Sequence, residues 1–384
     1  MRHPDARFAR LISFLWLLPG VARAAPDFVA ERVVVVGRVA DGPWTDAATE
    51  ARADQPVELA AIVVGHRGKQ RAIRAPDGVD KVTLAGRATA TEPLGSAAIS
   101  WVIVEPHGFR TGRAPNGATS EFYANVSTEP HHFGKWLGYD HIDYFEHALP
   151  TRPTGGLEPA RAGRLPVAIR ASEAPSDGLG TLFYKATVDG LASPGAEATD
   201  TYGLARTVHR VSIRRGDDFL GQLTGYLLVP EVFGSAGPGR DHQTERFTGA
   251  DCADVMVGAA RRMGKRLEYT NVEGLTAYAR TIVKSTDLDD HGAPARPIAG
   301  VQPGDLIRID YGGALRGATP RSWDHVAALW EDRSDPAGPA HGGPDGKLDG
   351  FDLVIHMGHP RLVIEPLANQ APATIDVLRW RDQK

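Results

Sequence analysis

The chain has one cysteine among its 384 residues, so no disulfide can close within a single copy of it. It also lacks any apolar run of the roughly twenty residues that a helix needs to cross a bilayer. Positive charge is not in excess. Lys and Arg number 43 against 47 Asp and Glu, a net charge of −4, and a protein built to hold nucleic acid would carry a basic face. No cysteine follows the first apolar stretch, which excludes a lipidated anchor there. What is present in quantity is hydrophobic residues, 42% of the chain, enough to build proper cores.

Residues 1–24 have the three parts of an export signal. Arg2, Arg7 and Arg10 form a basic front. Leu11 to Val21 is an apolar run of about eleven residues, and Ala22 and Ala24 stand at the cleavage positions. An uncleaved anchor or a buried helix is the alternative. The expectation is an exported protein, periplasmic or secreted, with no stable membrane insertion after signal cleavage. The remaining length suits two domains, or three.

From 26 to 215 the sequence reads as strands and turns. "RVVVVGRV", "PVELAAIVVG", "AISWVIVEP" and "GTLFYKATV" are short, rich in Val, Ile and aromatics, and separated by Gly, Pro and Asp clusters. Ile99, Trp101 and Ile103 alternate with Ser100 and Val102, as in a strand with one face in a core. The expectation is an all-β domain of the Ig-like sandwich type. From 216 to 384 a run of helices followed by a run of strands implies an α+β arrangement.

The lone cysteine lies in "DCADVMVGAARRMGKR". Val255, Met256, Ala259, Ala260 and Met263 recur at helical spacing. Asp251 and Asp254 fall in the first turn, and Arg261, Arg262, Lys265 and Arg266 in the last, both complementing the helix dipole. Cys252 therefore sits at the start of an amphipathic helix. There the dipole and unpaired amides favour thiolate over thiol, and the same amides can receive an oxyanion. A thiolate nucleophile needs a base and a group to orient it. His325, which opens "HVAALWED", and His356, which closes "LVIHMG", are the candidates. The bland account is a core cysteine and two histidines that cap strands.

These segments resemble, in order, the NlpC/P60 family of papain-like cysteine peptidases, which cut the peptide stems of bacterial cell walls. The family's "VPYVWGG" is similar to "VPEVFGS" at Val229 to Ser235, and its "DCSG" to "DCAD" at Asp251 to Asp254. Its "GDLVFF" resembles "GDLIRI" at Gly304 to Ile309. Its "HVGIYLG" resembles "HVAALWED" at His325 to Asp332, and the next strand "LVIHMG" at Leu353 to Gly358. The resemblance covers about 160 residues and implies a papain-like α+β fold for 216–384. It also implies Cys252 as nucleophile, His325 as base and His356 as orienting residue, with no cofactor and no metal. The Cys252 amide would contribute to the oxyanion hole. The substrate would be a cell-wall peptide or another amide, and no nucleic acid is a partner. Glu231 stands where the family has a substrate-positioning tyrosine, and Ala253 and Asp254 replace its small "SG" pair. Glu231, Asp251, Ala253 and Asp254 are the substrate-positioning candidates. Tyr226 is nearby but out of register. The loop between His325 and His356 is longer than the family's and could roof the cleft. The alternatives are an inactive binding or scaffold protein, and an acyl-transfer enzyme acting on a different amide or ester.

Other signals carry little. His131, His132, His141 and His147, with Asp140, Asp143 and Glu146, fit no standard zinc spacing. Trp136 and Tyr139 could serve a carbohydrate face. Asp345, Asp349 and Gly350 imitate a calcium loop, but Lys347 occupies a ligand position and His356 stands where a bidentate glutamate belongs.

Overall fold

The structure is a computed structural model that describes residues 27–106, 144–149, 163–167, 177–237, 241–312, 322–358 and 360–381. The export signal at 1–24, most of the histidine-rich segment and the Trp136–Tyr139 pair lie outside the described residues.

The long strand Phe28–Val39 pairs antiparallel with Val57–Arg67, Val35 opposite Ala61. Its run of valines shows no polar alternation because both faces are covered. Val33 and Val35 point into a core with Leu59, Ala61, Trp101, Leu182 and Val211. Val36 points the other way, toward Ile62, Ile73, Val82 and Leu84. A second sheet, containing Ile99–Pro106, Gly180–Val188 and His209–Arg214, closes the first of these cores. Trp101 and Ile103 face inward as their alternation implied.

The carboxy-terminal part is built on one six-stranded antiparallel sheet. Its order is Ala279–Leu288, Ala373–Trp380, Leu306–Asp310, His325–Glu331, Leu353–Met357, Leu362–Pro366. One face packs on helices: α1 (Phe219–Thr224), α2 (Gln243–Arg246) and α3 (Cys252–Arg262). Val255, Met256 and Ala259 of α3 meet Leu306, Val326, Ala328 and Ile355 of the sheet. The opposite face buries Ile307, Ile309, Ala327, Leu329 and Val354.

The α+β papain-like class, with an Ig-like sandwich before it, is corrected by this architecture. Strands hold 46% of the described residues and helices only 11%, spread over several sheets. The expected run of helices after residue 216 is present only as short pieces of six, four and eleven residues, for a local reason. Gly216, Gly221, Gly225 and Pro230 punctuate the segment, and glycine and proline both oppose helix propagation; α1 accordingly stops after six residues. Gly221 is required where it stands, since a Cβ there would come within 2.5 Å of the Gly216 backbone. The amino-terminal sheets also depart from a purely antiparallel sandwich. Thr49–Arg52 runs parallel to His209–Arg214, and two further short pairs are parallel.

The two parts of the chain are joined by more than the linker. Thr181 donates its hydroxyl to the Gly225 carbonyl at 2.8 Å and its amide to Leu227 at 2.9 Å. Glu50, on the amino-terminal side, accepts from Arg210 at 2.5 Å and from Arg262 of α3 at 3.0 Å. Both guanidiniums lie over the Phe247 ring, at 4.4 and 4.2 Å.

Candidate active site

Cys252 is the first residue of α3. Asp251 caps the helix: one carboxylate oxygen accepts from the Asp254 amide at 2.8 Å and the other from Gly234 at 3.1 Å. Asp254 is buried and turns back to accept from the Ser235 hydroxyl at 2.6 Å and the Ala236 amide at 2.8 Å. These two side chains tie the segment 234–236 to the helix start. On its other side that segment is held by Val232 N–H to Ala250 and by Glu231 N–H to Pro360, both 2.9 Å. Ala253 is buried in the helix core. Glu231 is close enough to Asp251 to add to the negative charge around it. Tyr226 does not stand in for the missing tyrosine. It is buried beneath α3, stacked on Phe247 at 4.4 Å, with its hydroxyl against Gly258.

His325 opens its strand and His356 lies one residue from the end of the neighbouring antiparallel strand. Antiparallel pairing therefore brings them to the same end of the sheet, and the two-residue period puts them on the same face, with Ala327 and Val354. His325 Nε2 is 2.8 Å from His356 Nδ1 with the rings at 89°. The amide of Val326, the residue after His325, faces the Cys252 sulfur and favours its charged form. The thiol thus reaches the strand end that carries the base, across one peptide unit. No hydrogen bond joins the thiol to the His325 ring among the described residues.

Four further residues complete the cluster, and sequence reasoning missed all of them. His356 Nε2 lies 2.9 Å from Glu365 Oε1. Gln370 donates to the same oxygen at 2.6 Å, and Asn369 donates to the other at 2.9 Å. The Tyr311 hydroxyl donates to Gln370, and the Tyr311 ring lies 6.1 Å from that of His325, stacked at 28°. Glu365 was legible only as a polar residue in the strand "LVIEP", two positions from the Val363 that pairs with His356. Tyr311 follows the strand Leu306–Asp310 and Gln370 ends a short 3-10 helix, Leu367–Gln370, neither with a signature.

Charge at the site departs from the expectation of a preformed thiolate. Burial pushes the Cys252 thiol well up, and Asp251 adds to it; the Val326 and Ala253 amides pull the other way without prevailing. Burial and the neighbouring His356 lower His325 to about 3. The resting pair is a neutral thiol beside a neutral imidazole. Burial penalises either charge made alone, whereas moving the proton from sulfur to ring makes both together, and their attraction offsets part of that cost.

The long loop between the two histidines does not roof this site. It leaves the His325–Glu331 strand at its far end, about 20 Å from His325 at the usual rise per residue. It is pinned there by Lys347–Leu348 pairing with Ile298–Ala299. No group of three or more His, Cys, Asp or Glu side chains among the described residues could hold a metal ion. No helix among them is long and apolar enough to cross a membrane.

Scans against protein-family models, curated proteins and solved structures returned no match to this chain.

Proposed function

We propose that this chain is an exported thiol hydrolase that opens an amide bond, with Cys252 as nucleophile, His325 as base and His356 as orienting residue. The observation that carries the reading is the His325–His356–Glu365 hydrogen-bond chain at the end of the strand whose Val326 amide faces the Cys252 sulfur. Substrate binding expels water from the strand end. His325 then takes the thiol proton as sulfur bonds to the carbonyl carbon, and the carbonyl π pair moves to oxygen. The Cys252 amide has no acceptor inside its own helix, being in the first turn, and is available to that oxyanion. Collapse breaks the C–N bond as His325 returns the proton to the leaving amine. Water then cleaves the thioester by the reverse use of the same base.

The proposal has two halves, the chemistry and the substrate class. The ordered resemblance of five segments to the NlpC/P60 enzymes supports a cell-wall peptide stem. Incubation of the full chain with purified wall material, followed by mass spectrometry of the fragments, tests both halves. New amine and carboxylate ends that disappear in Cys252→Ala support the reading. Intact wall peptides in the presence of an acylable Cys252 direct the search to another amide or ester. A Cys252 that no acyl donor modifies overturns the hydrolase.

One observation favours a second reading, a binding protein that retains the site without its chemistry. The thiol is raised and His325 lowered, the two directions opposite to those of a standing ion pair. Tight retention of wall fragments without cleavage would select it.

A further inference from the structure

We infer that Glu365 is a positioning residue that fixes the tautomers of both site histidines, so that the nitrogen of His325 left without a proton is Nδ1. The inference rests on the hydrolase reading for its purpose, but its geometry stands alone.

A carboxylate has only acceptors to offer, while a neutral imidazole has one donor and one acceptor. Three donors converge on Glu365: Asn369 on Oε2, and Gln370 and His356 on Oε1. Burial works against the Glu365 carboxylate, but these hydrogen bonds outweigh it and hold the group below its usual range. Glu365 is therefore an anion, and the His356 nitrogen facing it, Nε2, must carry hydrogen. Gln370 Nε2 also lies 3.1 Å from that nitrogen. Two donors cannot bond each other, so this is a contact, with both turned to the shared carboxylate oxygen. The Gln370 carbonyl end is fixed in turn because it accepts from the Tyr311 hydroxyl.

With its single hydrogen on Nε2, the His356 ring has a bare Nδ1. The partner 2.8 Å away, His325 Nε2, must then be the donor. A neutral His325 that carries its hydrogen on Nε2 has its lone pair on Nδ1, and that lone pair is what a thiol proton needs. Reversal of any link sends the hydrogen to Nδ1 and leaves no base. The groups that face the pair are Glu365 and Gln370 behind His356, Tyr311 stacked on His325, and Cys252 electrostatically beside Tyr311. Asp324 adds negative charge near Tyr311. None of these offers His325 Nε2 a competing acceptor among the hydrogen bonds described.

The test is two-bond ¹H–¹⁵N spectroscopy of the full chain labelled at histidine, with assignment by His325→Asn and His356→Asn, together with p-nitrophenyl acetate as an acyl probe of Cys252. In the wild type both rings should carry their hydrogen on Nε2 and leave Nδ1 bare. Glu365→Leu should mix the tautomers of both rings and slow acylation of Cys252 about a hundredfold, the scale of a lost general base. Glu365→Gln retains an oxygen acceptor and should restore the wild-type tautomers, which a merely structural role would not require. A wild-type His325 protonated at Nδ1 overturns the inference, whether or not Glu365→Leu folds. So does a folded Glu365→Leu with both patterns unchanged. Correct tautomers beside a Cys252 that acetylates no faster than free cysteine would uphold this inference and overturn the hydrolase instead.

Discussion

His325 and His356 lie on adjacent antiparallel strands with ring nitrogens 2.8 Å apart and ring planes at 89°. The edge-on contact lets one ring direct a single nitrogen of the other without covering its second nitrogen. His356 is buried and His325 half-buried, so the inner ring is held by protein and the outer one meets the solvent side. The order of action, from Glu365 through the two rings toward Cys252, follows from the hydrogen bonds that hold His356 from behind.

Replacement of His356 by alanine should leave the sheet folded, because its neighbours Ile355 and Met357 keep their packing on α3. Hydrolysis, or acetylation of Cys252, should fall about a hundredfold or more. Circular dichroism and a burst assay on the same sample separate the two effects. Full activity in a folded His356→Ala protein would remove it from the site.

Free Cys252 should react slowly with iodoacetamide at neutral pH, because burial and then Asp251 push the thiol above its usual range. The rate should still be climbing above pH 9, where an ordinary thiol levels off. Asp251→Asn removes the second cause and should raise the rate at pH 7. A wild-type rate that plateaus below pH 7 would contradict the burial argument.

His209 is buried between the sheets, 3.0 Å from the Thr49 hydroxyl, and burial lowers it to about 3, with Arg210 contributing. An unfolded histidine titrates near 6.5. Between those values the unfolded chain binds the extra proton, so stability falls as the pH drops from about 6.5 toward 3 and is unaffected above. Denaturant titrations of wild type and His209→Gln should therefore differ by an amount that shrinks across that window. A difference constant from pH 7 to 4 would be inconsistent with a neutral buried ring.

Arg308 and Asp376 form a buried ion pair at 2.6 Å on central strands, with Asp376 also accepting from the Ser285 amide and Arg308 lying over Trp323 at 4.3 Å. Asp376→Ala leaves a buried guanidinium without its partner and should destabilise the protein by about 3–5 kcal/mol. Urea midpoints measure it. A loss under about 1 kcal/mol, the scale of an exposed pair, would mean that water reaches the arginine.

Some of this was legible in one dimension. The helix start at Cys252 was, because Asp251 as cap, an apolar stripe and a basic last turn are all local signals. So were the strands of His325 and His356 and their inward neighbours, through the period of two. The limit on the helices was local too, since glycine spacing kept α1 to six residues, and the expected α+β class gave way to a chain of sheets. Proximity was beyond the sequence. Glu365, Gln370 and Tyr311 reach the histidines through strand order and the ends of a strand and a short helix. The thiol's ionisation was misjudged because a helix terminus is written in the sequence, while burial, which outweighs it here, is a property only of the folded packing.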